Sequence, residues 1–442
     1  MSFRNVVLSM ALGGLAAPLQ TAGQARPDGV PVVTLEEARR LALTVDPVAV
    51  DARNQVETAE WERRAARIDL LTPEITAATS YTHFSEPFFN FGTGNISPNA
   101  TSATLQANYT LFGGGKFAQL KRSGASLAHA EASETAAAFS VALATDGAYF
   151  AVLAEREFRR VTTERLRRAE EQLTVARVRV VAGDAIATDS LQLLLEVNRA
   201  RLALLRSDSA LAVSRLRLGR RVGLEGPADA APFDTAPPPP LPLALDDAIT
   251  EMRARGPSVQ AARAAERRAD ALLGLERDGY FPDITLGATT GAYDSEFFPS
   301  ALSRTQVALT VSLPIWNGGQ RELQVARARA QRTLARAERA DHERAITEQM
   351  TSAFHGYETS RAAIELALVG VVVANETFRV QGVRYREGAT SILDLLEAQV
   401  ALSEAEATLV QSRQGARLAQ TRIESLLGRR IFENASTFPR NP

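Results

Sequence analysis

The distribution of proline restricts the fold of this chain more than any other feature of its sequence. All 20 prolines of the 442 residues fall outside two segments, 100–226 and 315–438. Proline costs about 3 kcal/mol inside a helix, so these segments are where helices can run long. Within them, 116–182 and 320–387 are rich in Ala, Arg, Glu, Leu and Gln, and as helices they would each span roughly 100 Å.

The two proline-free segments are copies of one pattern, offset by 205 residues. Gly183 and Gly388 follow the two long runs, and a glycine there can adopt the left-handed conformation that ends a helix. Asp189 and Asp394 then open two returning runs, in which apolar residues recur at steps of three and four. The sequence therefore predicts a long helical hairpin built twice. The simplest interpretation of its apolar seams is a plain coiled-coil core.

Apolar and polar residues alternate in four segments between the helical runs. The alternation is clearest in 103–112 and 305–316, and weaker partners lie at 75–84 and 284–293. Strands with one apolar face show this pattern, and a length of about ten residues suits a tilted transmembrane strand. Four strands cannot close a barrel, and an unpaired edge is not tolerated in hydrocarbon. Several copies of the chain are therefore predicted to share one barrel.

These patterns divide the chain into two structural repeats. The predicted domains are a signal peptide at 1–25, a first repeat at 26–223, a proline-rich linker at 224–243, a second repeat at 244–430 and a tail at 431–442. The signal peptide is indicated by the basic Arg4, an apolar run too short to span a bilayer, and small residues up to Ala25. No later apolar run approaches the length of a transmembrane helix. The long helices are predicted at 115–182 and 319–387, and the returning helices at 188–222 and 391–428.

Composition gives little support to catalysis or nucleic-acid binding. The 50 basic and 51 acidic residues balance, and no cysteine is present to form disulfides, thiolate nucleophiles or sulfur metal sites. A glycine run before Lys116 is similar to a phosphate loop, but Thr110 replaces its first glycine and Phe117 its magnesium-binding hydroxyl. The four histidines show no metal-ligand spacing. We predict no enzyme, no catalytic residues, no metal and no cofactor.

The chain resembles the TolC-like outer membrane efflux protein family over nearly its whole length. The resemblance rests on the duplicated order of helix, strand, strand, long helix and returning helix, and on aromatic-x-Gly-Gly junctions at 112–115 and 316–319. It rests also on the motif Tyr385-x-x-Gly388, followed by Ser391. The resemblance implies a mixed, mainly α fold. Each chain would give four transmembrane β-strands to a shared trimeric 12-strand barrel, continued into a long α-helical coiled-coil periplasmic tunnel.

The same resemblance implies the location, the partners and the function. The chain would form a homotrimer in contact with outer-membrane lipid, extending into the periplasm after signal peptide cleavage. A periplasmic adaptor and an inner-membrane transporter of RND, ABC or MFS type would be its partners, and nucleic acid would not. It would be the exit duct of a tripartite efflux pump or a type I secretion system. One alternative stays open, a secreted periplasmic coiled-coil adaptor or scaffold without a pore, but it leaves the four strands unexplained.

The family closes its tunnel at the periplasmic end, with a network that links a tyrosine and an arginine on one helical hairpin to an aspartate on the other. Tyr385 matches the tyrosine, and Asp189, preceded by Thr188, matches the aspartate. Thr390 stands where the family has the arginine, so one charge-assisted link is missing. Arg386 lies close by, and whether it substitutes stays open.

Two acidic residues match the inward-facing positions of the family's constriction, Asp394 and Glu397. Three copies would bring their carboxylates into a narrow ring that repels itself and attracts cations. The simpler alternative is that both acids only favour the first turn of a helix through its dipole. The glycine turns would dock the adaptor. The predicted docking residues are Arg179, Gly183, Asp184, Arg384, Gly388 and Ala389.

Overall fold

The computed structural model describes residues 29–90, 94–113, 115–232, 238–294 and 302–432. The predicted signal peptide, Gly114 of the first glycine junction and the tail from 433 onward lie outside these residues. In chain order the elements are β1 (Val32–Val33), α1 (Leu35–Val45), α2 (Pro47–Leu71), β2 (Glu74–Asn90), β3 (Asn95–Phe112), α3 (Lys116–Ala182), α4 (Ala187–Arg221), β4 (Asp229–Ala230), α5 (Leu245–Arg255), α6 (Pro257–Asp278), β5 (Asp283–Asp294), β6 (Leu302–Ser312), α7 (Gln320–Arg386) and α8 (Ile392–Leu427).

Two antiparallel helix pairs dominate the described chain, and each contains one helix of 67 residues. Helices α3 and α4 form hairpin one, and α7 and α8 form hairpin two. Helix α3 also packs against α8, so the two hairpins lie side by side. Helices α2 and α6 also pack against α3, and α6 packs against α7. The absence of proline allows each long helix to continue without a break.

The four membrane-length strands form one antiparallel sheet in the order β2-β3-β5-β6. Pairing of β3 with β5 joins the two repeats, with Leu105 opposite Thr290. Strands β2 and β6 are the outer strands, and their outer edges pair with no other strand in the described part of the chain. Each hairpin of strands leads directly into one of the long helices.

Three strand boundaries differ from the sequence-based prediction. Strands β2 and β3 have 17 and 18 residues instead of about ten, because a β-bulge between His83 and Phe88 interrupts the alternation while the strands continue. Strand β6 ends at Ser312, although the prediction extended it to residue 316. Pro314 explains the earlier end, since proline has no N–H group to donate to a neighbouring strand.

Several short elements pack against the middle of the long helices, and together we call them the belt. They are β1, α1, β4, α5 and the described segments that join α4 to β4 and β4 to α5. The two-residue strands β1 and β4 pair in parallel, and no sequence pattern predicted them. Ala230 of β4 and the preceding Ala228 are buried, and Asp229 of β4 binds both Arg156 and Arg215. Part of the predicted linker at 224–243 is therefore packed structure. Its small residues allow a close approach to α4, where the N–H of Ala228 donates to the carbonyl of Arg215 at 3.0 Å.

Helix α3 contains an 18-residue window that is apolar enough, by composition alone, to cross a membrane. This finding corrects the prediction that no such run follows the N-terminal segment. In the structure α3 packs against α2, α4, α6 and α8. It also carries the fully buried Asp146. A third of the apolar window is buried within the chain.

Candidate gate at the tips of the helical hairpins

The two hairpins turn with the same backbone geometry. Gly183 and Gly388 have φ angles of 84° and 74°, the left-handed conformation that a side chain disfavours. The N–H of Asp184 donates to the carbonyl of Arg179 at 2.8 Å, and that of Ala389 donates to the carbonyl of Arg384 at 2.8 Å. These bonds close the ends of α3 and α7 and satisfy carbonyls that would otherwise lack a partner. We call the two turns, with the last turn of α3 and α7 and the first turn of α4 and α8, the tip.

The arginines of the predicted docking surface brace these turns. Nη2 of Arg179 donates to the carbonyl of Asp184 at 2.8 Å, and Nη2 of Arg384 donates to that of Ala389 at 3.3 Å. The two bonds are equivalent in the two repeats. Arg384, Asp184 and Ala389 are exposed, whereas Arg179 is only half-exposed. Both arginines thus hold the backbone of the turns in place.

Tyr385 and Asp189 meet between the hairpins, as the resemblance implied. Tyr385 is 1% exposed, and its Oη donates to Oδ2 of Asp189 at 3.3 Å. The tyrosine ring belongs to an apolar cluster in which Ala176 and Leu193 of hairpin one meet Leu395 of hairpin two. The bond therefore joins the end of α7 to the start of α4.

Arg179 crosses from hairpin one to Tyr385 in a way that sequence reasoning did not predict. Its Nη1 donates to the backbone carbonyl of Tyr385, and its guanidinium lies 4.9 Å from the centre of the Tyr385 ring. A guanidinium over an aromatic face is attracted by the ring's negative face. Arg386 does not replace the missing arginine link, since its Nε donates to the carbonyl of Gly382 in its own helix at 3.3 Å. The only signal for Arg179 was its place beside the turn.

Asp394 and Thr390 are engaged within hairpin two. Oγ1 of Thr390 donates to Oδ2 of Asp394 at 2.8 Å, and the hydroxyl and N–H of Ser391 donate to the same oxygen. In return the N–H of Asp394 donates to Oγ of Ser391 at 3.3 Å, which completes a capping box at the start of α8. Thr390 therefore does not reach across to hairpin one. The structure gives Asp394 a capping role, which was the simpler alternative.

The remaining predicted gate residues lie at the surface of the tip. Thr188 and Glu397 are exposed, and Glu397 lies one helical turn beyond Asp394 on α8. Among the described residues no group of three or more histidine or acidic side chains is arranged to hold a metal ion.

Two side chains of the tip have shifted pKa values. Burial, followed by the charge of Asp189 and the hydrogen bond to it, raises the pKa of Tyr385, and Arg179 opposes this shift. The hydrogen bonds from Thr390 and Ser391 lower the pKa of Asp394. At neutral pH the tip thus contains a neutral phenol and an ionised capping carboxylate.

One further contact joins the hairpins away from the turns. Arg168 of α3 binds Glu406 of α8 through two hydrogen bonds, with Nη2 and Oε2 at 2.9 Å. The two residues are 238 positions apart in the sequence. Their pairing could have been suspected only from the position of Arg168, three helical turns before Arg179 on α3.

The family model of outer membrane efflux proteins matches residues 31–224 and 248–429. These two stretches correspond to the two repeats and include both hairpins and the whole described sheet. The chain belongs to the outer membrane efflux protein family. This match confirms the resemblance seen in the sequence, and it agrees with the predicted outer-membrane location and efflux function. It favours a transport conduit over the periplasmic adaptor that the sequence left open.

Two members of the outer membrane efflux protein family are distant relatives of this chain. The outer membrane protein TolC of Escherichia coli (strain K12) is 24% identical over 375 residues, which cover 81% of this chain and 75% of TolC. The cobalt-zinc-cadmium resistance protein CzcC of Cupriavidus metallidurans is 27% identical over 287 residues, which cover 64% of this chain and 66% of CzcC.

The crystal structure of the outer membrane protein VceC from Vibrio cholerae has the same fold. It superimposes with a TM-score of 0.76 at 19% identity, covering 90% of this chain and 96% of VceC. Together with a helical content of 71% among the described residues, this likeness confirms the predicted mainly α fold.

Proposed function

We propose that three copies of this chain assemble into an outer-membrane channel, the exit duct of a tripartite efflux pump or a type I secretion system. Each copy contributes four strands to a twelve-stranded barrel, and its two hairpins contribute to a periplasmic tunnel. The observation that carries the proposal is the four-stranded sheet, whose outer strands β2 and β6 have no partner in the described chain.

An open sheet of this length is not stable in lipid. The amide groups along the outer edges of β2 and β6 would lie in hydrocarbon without hydrogen-bond partners, each at a cost of several kcal/mol. Closure within one chain is excluded because small membrane barrels need about eight strands. Pairing β2 of one copy with β6 of the next satisfies both edges, and three copies supply twelve strands.

The two faces of the sheet differ in the way that a membrane channel requires. One row of directly opposed residues across the four strands is Ile75, Ala107, Ala288 and Val307, and it is apolar. The adjacent row is Thr76, Gln106, Thr289 and Gln306, and it is polar and uncharged. Because side chains alternate between faces, the first row would face lipid and the second a water-filled lumen.

Exposed aromatic side chains mark both ends of the apolar face. Trp316 and Phe112 are exposed where the strands meet the long helices, and Phe281 is exposed between α6 and β5 at the same end of the sheet. Tyr81 is exposed toward the opposite end. Tyr81 pairs with Thr101. From there to Phe112, β3 spans roughly 36 Å along the strand, or about 28 Å across the membrane at a 40° tilt. This height supports an apolar band bounded by two aromatic girdles.

The tip is the gate of this channel. Asp189 and Tyr385 hold the hairpins of one copy together, and Thr188 and Thr390 flank them. Asp394 and Glu397 contribute a ring of carboxylates when three copies meet. Asp394 keeps its negative charge while it caps α8, because the groups that donate to it are neutral, so both acids contribute charge to this ring.

The glycine turns dock the periplasmic adaptor. They lie at the end of the hairpins farthest from the sheet, and Val181 beside Gly183 is 89% exposed. Introduced cysteines offer a clean test because the natural chain has none. A cysteine at Asp184 or Ala389 should form crosslinks to the adaptor in cells that assemble the pump. A cysteine at the exposed Thr163, several turns up α3, should not, and equal crosslinking from all three sites would contradict the docking assignment.

The channel itself is tested by conductance. The purified protein should form a heat-resistant trimer in detergent and pass ions in planar bilayers. The combined change Asp189→Ala and Tyr385→Phe should raise the conductance, and the combined change Asp394→Ala and Glu397→Ala should weaken block by divalent cations. A monomer that passes no ions would rule out the proposed function.

A further inference from the structure

Helix α3 carries a polar stripe that faces hairpin two. Arg168, Gln172 and Arg179 follow one another at steps of four and seven, so they lie on one side of the helix. Beside this stripe runs an apolar one, with Ala169 and Leu173 packed in the cluster that also holds the tip together. The polar stripe reaches hairpin two at two points, one near the turns and one higher up.

The upper point is the ion pair of Arg168 with Glu406. The side chains are only 11% and 16% exposed, and the guanidinium also lies 5.9 Å from the ring of Phe378 on α7. Arg168 therefore touches both helices of hairpin two. A planar guanidinium with two bonds to one carboxylate fixes orientation as well as distance. Separating the pair would leave two poorly hydrated charges without partners.

The lower point is Arg179, whose acceptors in hairpin two are neutral. It binds the carbonyl and the ring of Tyr385, and no carboxylate of hairpin two bonds to it among the described contacts. Water can replace such contacts at lower cost than it can replace a partly buried ion pair. The two points are eleven residues apart, or roughly 16 Å along α3.

Two restraints of unequal strength along one helix define how hairpin two can move. Resting on the gate proposed above, we infer that Arg168 and Glu406 form a pivot that keeps hairpin two attached while the tip opens. Arg179 and Tyr385 form the latch that releases first. Arg168 is thus a positioning residue for the gate, although it lies about three turns from it.

The pivot is tested with charge exchange in single-channel recordings of purified trimers. The pivot resists openings wide enough to separate the pair, and its loss makes those states accessible. Arg168→Glu and Glu406→Arg should therefore each raise the fraction of time spent open by about tenfold, the size of effect expected when a charged hydrogen-bonded pair is lost. The double exchange should restore the pair and return the open fraction to within about twofold of the natural protein. A structural defect unrelated to the pair would not be repaired by the second substitution.

Arg167→Glu is the matched control. Arg167 neighbours Arg168, but its bonds to Glu164 and Glu171 stay within α3, so the open fraction should not change. If a charge reversal prevents trimer formation, Arg168→Lys and Glu406→Gln replace it and should raise the open fraction severalfold. The inference is wrong if these variants match the control or if the double exchange rescues nothing. Failure of the natural trimer to conduct would instead defeat the proposed channel.

Discussion

Three tyrosines on the two long helices are buried to the same degree but bonded differently in the belt and at the tip. In the belt, Tyr149 donates to the carbonyl of Ala231 at 2.9 Å and Tyr357 donates to that of Pro239 at 2.6 Å. At the tip, Tyr385 donates to the carboxylate of Asp189 at the longer distance of 3.3 Å. The belt tyrosines hold backbone segments in place, whereas the tip tyrosine holds a side chain that can turn away.

Charged residues show the same difference. In the belt, the fully buried Asp146 forms two bonds with Arg39, with Nε and Oδ1 at 2.6 Å. Arg221 binds the buried Asp46, which connects α4 to the N-terminal helices. At the tip, Arg179 binds only neutral acceptors in hairpin two. The comparison indicates that the belt clamps the chain and that the tip is built to separate.

The largest effect is expected from breaking the belt clamp. Asp146→Ala leaves the mostly buried Arg39 with only the more exposed Glu36 as an acidic partner, which should cost about 3 kcal/mol of stability. Thermal unfolding of the detergent-purified protein measures the loss. Asp208→Ala is the control, since its pair with Arg159 is about half exposed and should contribute only about 0 to 1 kcal/mol. Equal losses in the two variants would contradict the clamp.

A second effect concerns the close approach of α4 to the chain that follows it. A Cβ atom added at Gly219 would lie 2.0 Å from the carbonyl oxygen of Gly226. Gly219→Ala should therefore destabilise the belt by about 1 to 3 kcal/mol through overpacking. Gly124→Ala in α3 meets open space and should instead stabilise the helix by about 0.5 to 1 kcal/mol. The two unfolding temperatures should move in opposite directions.

Removing single tyrosine hydroxyls separates the belt from the tip. Tyr357→Phe should lower stability by about 1 kcal/mol, because the carbonyl of Pro239 loses its donor, and should leave conductance unchanged. Tyr385→Phe should change stability less and raise the open fraction. Thermal unfolding and single-channel conductance are measured on both variants, to check that one change mainly affects stability and the other mainly affects opening. A rise in conductance for both variants would mean that the belt also moves in opening.

The smallest effect is a response to alkaline pH. The closed tip raises the pKa of Tyr385 through burial and the nearby Asp189, so it favours the neutral phenol. This preference is fully present below the ordinary tyrosine pKa of about 10, and it is lost as the pH rises through the raised value. The open fraction should therefore increase above about pH 10. The step should vanish in Tyr385→Phe, and its persistence there would assign it to another group.

Long-range sequence patterns predicted the helices better than the contacts between them. The proline-free segments and the repeat offset located both hairpins, because a helix of this length depends on local rules. Strands β2 and β3 proved longer because a bulge hides continuity from a period-two pattern. The strands β1 and β4 have two residues each, too few for any pattern.

In the candidate gate, too, the sequence predicted some residues and missed the contacts made by others. The resemblance suggested Tyr385 and Asp189, and the structure brings them together. It suggested Arg179 only for docking the adaptor and not for contact with Tyr385, because a backbone carbonyl and an aromatic ring leave no matching charge in the sequence. Arg168 and Glu406 have complementary charges, but many such pairs can be drawn across 238 residues. Only the packing of α3 against α8 selects this one.

The central claim, that copies of the chain share one barrel, is tested most directly by cysteine crosslinking between the outer strands. A cysteine on β2 at Ile75, Ala77 or Thr79 is combined with one on β6 at Val307 or Leu309, in a chain that otherwise has none. Because Ala288 faces Val307 within one chain, a cysteine pair at those two positions serves as the intramolecular control. The account predicts that at least one β2–β6 combination gives a covalent ladder that stops at three chains. No ladder from any combination, or one that ends at two chains, would contradict it.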